Sequence, residues 1–153
     1  MHRKGAYILY LHLHRSLTLN VGRLLGSFFP AGLYLYVGSA YGGIDQRIAR
    51  HRRLVARKAG KIHWHIDYLL LHPDVRLTRI RAMEKSRECE ISKKVASRRG
   101  ATIPVPHFGS TDCIAGCKAH LYRIHRTGLP DTAKQNAFRA GTHTGGPSRY
   151  RRT

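Results

Sequence analysis

Between Ala6 and His14 the side chains alternate strictly: Tyr7, Leu9, Leu11 and Leu13 fall on one side, Ile8, Tyr10, His12 and His14 on the other. Only extended backbone repeats every second residue on one face, so this stretch predicts a strand whose apolar side needs cover. Leu33 to Val37 repeats the pattern, with Leu33, Leu35 and Val37 opposite Tyr34 and Tyr36. Leu17 to Val21 is a shorter strand between them, and the glycines and Pro30 from Gly22 to Gly32 predict turns. Three such segments predict an antiparallel sheet.

After Gly42-Gly43 the period changes. At about 100° per residue, a helix over Ile44 to Lys58 gathers Ile44, Ile48 and Val55 into one apolar stripe. His51 falls within that stripe and Arg47 on its flank, while Arg50, Arg53 and Arg57 point away. Arg47 and His51 are thus an inward-facing pair, and the other three form a solvent-facing basic stripe. A short helix over Trp64 to Leu71 ends before Pro73, and Val75 to Ile80 alternates like a strand. Ala82 to Arg99 predicts a longer helix, stopped by Gly100, with Arg98 and Arg99 against the negative end of its dipole. Pro104 and Pro106 introduce a loop before a last strand over Ala119 to Ile124. The expected architecture is α/β of the α+β kind, a mainly antiparallel central sheet flanked by helices. Beyond Thr127 glycine, threonine, serine and arginine replace periodic hydrophobics, so residues 1–127 are expected to form the domain and 128–153 a flexible basic tail.

Charge narrows the partner. With 28 Lys+Arg against 8 Asp+Glu the formal charge is +20, far more than solubility requires, and the expected counter-ion is nucleic-acid phosphate. No stretch approaches the roughly 20 apolar residues of a membrane span, and the basic residues do not form one amphipathic helix, which argues against a membrane partner. Met1-His2-Arg3-Lys4-Gly5 runs into a strand without the apolar core of a signal peptide, and the cysteines number three, so a cytoplasmic, reducing setting is expected.

Against this background the glutamates stand out: Glu84, Glu88 and Glu90 are the only ones, all placed by the periodicity on the Ala82 to Arg99 helix. Glu88 shares its side with Ile91 and Val95, whereas Glu90 faces away. A carboxylate aimed into an apolar arc requires a cation, a metal or several hydrogen bonds, because an unpaired buried charge is strongly unfavourable. Two readings fit Glu88: a buried ion pair with an arginine, or a ligand of Mg²⁺, which commonly takes one or two protein carboxylates and completes its shell with water and phosphate.

Gly5-Ala6-Tyr7, Tyr36-Val37-Gly38, Arg47, His51 and Glu88, in that order, resemble the signature of the GIY-YIG nuclease family. The long hairpin-like insertion, Tyr36 to Ala40, Arg50-His51, Trp64 to Tyr68, Glu88-Cys89-Glu90 and Phe108 to Cys113 resemble a branch also found fused to endonuclease III-like repair proteins. The resemblance implies a GIY-YIG-like fold with an extended N-terminal hairpin and a DNA endonuclease linked to repair. It implies Mg²⁺, with Mn²⁺ as a substitute, at Glu88. Arg47 would stabilise charge on the phosphate, Tyr7 or Tyr36 would be the base with positive charge from Arg47, His51 or the metal favouring its phenolate, and DNA comes ahead of RNA. The residues do not choose between the two tyrosines. No asparagine occurs between Asn20 and Asn136, so Asp112 or a backbone group would make the contact the family gives to one.

Arg50, Arg53 and Arg57 would track phosphates without reading bases. The alternative to cleavage is a non-catalytic DNA- or RNA-binding module on the same fold. Cys113, Cys117 and His120, with Cys89 as a fourth donor, invite a zinc reading, but their spacing departs from the paired signatures of structural zinc sites and buried thiols are expected instead. His63, His65 and Asp67 would spread over different helix faces, so Trp64 to Asp67 is expected to serve packing and capping.

Overall fold

The computed structural model describes residues 2–126. The tail expected over 128–153 lies outside them.

Three alternating segments become long strands. β1 (Gly5–Leu13), β4 (Gly32–Ala40) and β5 (Val75–Glu84) pair side by side, and β7 (Leu121–Ile124) and β6 (Ala101–Thr102) extend the sheet in the order β5-β1-β4-β7-β6. Every neighbouring pair is antiparallel. β2 (Leu17–Val21) and β3 (Leu24–Phe29) form a separate two-stranded ribbon inserted between β1 and β4. The helices are α1 (Ile44–Arg57), α2 (His65–Leu70) and α3 (Glu88–Ala96).

The alternation in β1 and β4 sorts the core into two layers. Tyr7, Leu9, Leu11, Leu13, Tyr34 and Tyr36 face one way and meet Ile44 and Leu54 of α1, Ile66, Leu69 and Leu70 of α2, and Leu17, Val21 and Phe29 of the ribbon. Ile8, Leu35 and Val37 face the other way and meet Val95 of α3 and Tyr122 of β7. α1 and α3 therefore cover opposite faces of the sheet. Each fully buried side chain of this kind contributes roughly 1.5–3 kcal/mol.

Two expectations are corrected and one element is added. Gly22 to Gly32 was expected to be turns, but Leu24–Phe29 is a strand, closed on β2 by a turn at Gly22 and bent at Gly26. The Ala82 to Arg99 helix starts only at Glu88: Ala82, Met83 and Glu84 are good helix formers that instead pair with Tyr7, Ala6 and Gly5. Cross-strand bonding to β1 outweighs local propensity here, and Lys85, in the left-handed region at φ 60°, ends the strand. Glu84 thus sits exposed at the end of β5, away from the helix that carries Glu88 and Glu90. Finally, Ala101–Thr102 adds a short edge strand that periodicity does not reveal.

Candidate active site

Antiparallel pairing sets Tyr7 directly opposite Gly38. A Cβ on Gly38 would overlap the Tyr7 ring at Cζ and the hydroxyl, so only glycine leaves the phenol its place. At the end of the same strand pair, a Cβ on Gly5 would run into the Met83 carbonyl oxygen and approach the Lys85 nitrogen at 2.9 Å. Both contacts are backbone, and β5 would have to move to make room. The glycine of each tripeptide is fixed by this geometry.

α1 crosses this end of the sheet and delivers its inward-facing pair. The Tyr7 hydroxyl lies 2.8 Å from His51 Nε2, with ring centroids 5.4 Å apart. His51 is fully buried, and its Nδ1 has no hydrogen-bond partner among the described residues. Burial lowers its pKa to about 4; Asp67 opposes that shift, and Arg50 and Arg47 add to it. The imidazole is neutral at pH 7. Burial also raises both phenols, Tyr7 and Tyr36, well above the ordinary tyrosine value, with Glu88 raising them further and Arg47 pulling each back. Tyr7, Tyr36, Arg47, His51 and Glu88 are therefore brought within electrostatic reach at one end of the sheet.

Arg47 does not hang free. Its guanidinium carbon sits 3.8 Å from the centroid of the Trp64 ring, and that of Arg50 sits 4.6 Å from the same ring. The expectation that Arg50 joins a solvent-facing stripe is corrected. Its guanidinium donates to both carboxylate oxygens of the buried Asp67, at 2.9 and 2.8 Å, and to the Lys61 carbonyl at 2.9 Å. Position 50 points away from the α1 stripe, but the segment leading into α2 folds up against it. Asp67 in turn accepts from the backbone N–H groups of His63 and Trp64, capping α2. Burial works to raise Asp67, but Arg50 and these two N–H groups hold its pKa below the usual carboxylate value. Trp64, expected to pack and cap, also clamps Arg47. The chain's single tryptophan lying between histidines was the available signal, and spacing alone did not link it to α1. Arg53 and Arg57 remain exposed.

Glu88 opens the first turn of α3, on the inward side with the buried Ser92 and Val95. Its side chain is 23% exposed and makes no salt bridge to an arginine among the described residues. The charged neighbour is His120, whose Nδ1 lies 3.3 Å from Glu88 Oε1 without the alignment of a hydrogen bond. A carboxylate with this much exposure, acting electrostatically on both phenols, is a chemically suitable oxygen donor for one Mg²⁺. Asp112 is exposed and acts electrostatically on His65.

The donors whose spacing argued against a metal do converge. Cys89, Cys113, Cys117 and one nitrogen of His120 lie within 4.8 Å of one another. Cys89 arrives from α3, some two dozen residues away in sequence, so the four donors weighed and set aside on spacing are brought together by the fold.

No helix among the described residues is long and apolar enough to cross a membrane. No curated protein and no solved structure matches the chain. The family described as Domain of unknown function DUF123 matches residues 6–142, past the change of composition at 127 and over most of the chain. This protein belongs to the DUF123 family.

Proposed function

We propose that the domain is a metal-dependent DNA endonuclease of the GIY-YIG kind, structure-selective and acting in DNA repair. The observation that carries the reading is the Tyr7 to His51 hydrogen bond of 2.8 Å at a point where Arg47 and Glu88 both act on the phenols. The resemblance of the tripeptides supports it, as do the two glycines whose Cβ atoms would collide with Tyr7 or with β5.

The pairing favours Tyr7 over Tyr36 as the base, because Tyr7 has a partner able to take its proton. With its own proton on Nδ1, neutral His51 accepts the Tyr7 O–H at Nε2. A phosphodiester entering beside Arg47 brings negative charge that raises the proton affinity of His51. Tyr7 then accepts a proton from the attacking water while passing its own to His51, the water oxygen bonds to phosphorus, and the P–O bond to the departing strand end breaks. The leaving oxygen takes its proton from solvent. Arg47, braced on Trp64, meets the charge that builds on the non-bridging oxygens. Glu88 would hold the divalent ion, which when bound neutralises phosphate charge and makes water more acidic. Exposed Arg53 and Arg57 hold the duplex by its backbone without reading bases.

Flap, branched, plain duplex and structured RNA substrates, each incubated with and without Mg²⁺, test this reading. Mg²⁺-dependent nicking of at least one DNA structure, reduced by Arg47→Ala with binding retained, is the expected result. Tight binding with no cut in any substrate identifies a non-catalytic nucleic-acid-binding module instead.

A further inference from the structure

Between the end of β6 at Thr102 and the start of β7 at Leu121 there is no helix or strand. Connections of this length without secondary structure are uncommon in compact domains and usually need something to hold them. Val105 and Phe108 anchor the first half in the core. The second half carries an exposed Ile114 and offers instead Cys113, Cys117 and His120, which converge on Cys89 of α3.

We propose that Cys89, Cys113, Cys117 and His120 bind one structural Zn²⁺ that fastens this loop to the first turn of α3 and to the start of β7. Three sulfurs and one imidazole make a complete ligand set for closed tetrahedral zinc. With Zn–S bonds of about 2.3 Å, the edge of such a tetrahedron is about 3.8 Å. Cys89 Sγ and Cys113 Sγ are 3.5 Å apart, and all four donors lie within 4.8 Å, so the side chains are already gathered to that scale. The sulfurs are free thiols, too far apart for a disulfide bond of about 2.05 Å.

His120 supplies the independent sign. It is 2% exposed; Nδ1 has only the Glu88 carboxylate at 3.3 Å, without hydrogen-bond alignment, and Nε2 has no hydrogen-bond partner among the described residues. A buried imidazole left in that condition is unfavourable unless something satisfies it. Nδ1 faces Glu88 Oε1 at 3.3 Å, so with Nε2 on the metal a small turn of the ring would complete the carboxylate, histidine and zinc arrangement that fixes a ligand ring in place. Glu88 is thereby a positioning residue for the zinc site through one oxygen. The zinc assignment does not depend on the endonuclease reading, since a binding module needs its loop held just as well.

The full chain purified from zinc-supplemented cells is analysed for metals by native and elemental mass spectrometry. One zinc per chain is expected, released stoichiometrically by a thiol-modifying mercurial. Cys113→Ser and Cys117→Ser should retain less than about a tenth of it and unfold on the order of 10 °C lower. Should these variants fail to fold, metal-stripped wild type titrated with Co²⁺ should show the thiolate charge-transfer and tetrahedral d–d absorption bands, saturating at one equivalent. Glu88→Gln should still carry one zinc but lose it to a competing chelator about 10–100-fold more readily. A zinc-free chain whose unfolding temperature ignores both chelator and the cysteine substitutions overturns the proposal, as does stoichiometric iron or a Cys89 to Cys113 disulfide in the untreated protein. Metal content is read without any nuclease assay, so loss of either conclusion leaves the other standing.

Discussion

Tyr7 and His51 form a pair in which each explains the other's burial. A phenol and a neutral imidazole satisfy one another at 2.8 Å where neither would be stable charged. Tyr7→Phe keeps the ring against Gly38 and removes only the hydroxyl, so single-turnover cleavage should fall by about 10²–10⁴-fold, while denaturant unfolding shows a loss of only about 1 kcal/mol. Tyr36→Phe should affect cleavage far less. His51 also makes stability depend on pH in a defined window. The folded chain binds this proton with a pKa of about 4 against 6.5 for the ordinary group. Above pH 6.5 neither state is protonated and the group contributes nothing; as pH falls from 6.5 toward 4 the unfolded chain takes up a proton that the folded chain refuses, and stability drops. At pH 5 the loss is about 2 kcal/mol. Urea unfolding at pH 7 and pH 5 should show a loss on acidification about 2 kcal/mol larger in the wild type than in His51→Gln, the other histidines being common to both.

At the scale of elements, the buried Arg50 to Asp67 ion pair ties α1 to α2 beside the stacking on Trp64. Arg50→Ala would strand the Asp67 carboxylate in the core, and breaking a buried pair from one side is destabilising by about 3–5 kcal/mol. Arg53→Ala, one turn further along the same helix and exposed, should change unfolding free energy by less than about 0.5 kcal/mol. Sequence periodicity cannot separate these two arginines, because both point off the apolar stripe and only the path of the chain before α2 distinguishes them. The same boundary explains which elements were legible. The alternation in β1 and β4 and the stripe in α1 are properties of one segment, and they read correctly, including the opposite facing of Tyr36 and Val37. Ala82 to Glu84 were misread as helix because the decisive bonds come from β1, more than seventy residues earlier. β3 was missed because Gly26 and Ser27 interrupt its apolar residues.

For the whole molecule, the excess of positive charge and the order of site residues were both visible in the chain, but their meeting was not. Tyr7 and Tyr36 come from neighbouring strands, Arg47 and His51 from the helix on one face and Glu88 from the helix on the other, and only the assembled sheet and helices set them at one end. The four donors of the proposed zinc site could be named from the chain, but their convergence could not, because Cys89 is carried by α3. A charge of +20 predicts DNA binding that weakens steeply with salt, and Arg53→Ala should lower the slope of log K against log [salt] by about 1, uniformly across DNA sequences. Glu88 is where the electrostatics and the chemistry converge. Wild-type and Glu88→Gln chains, matched for zinc content and for affinity to a branched duplex, are each given that duplex with and without Mg²⁺. Endonuclease action requires cuts by the wild type only when Mg²⁺ is present and a loss of at least about 10²-fold in the variant. Equal cutting by the two chains, or none by the wild type on any branched substrate, contradicts it.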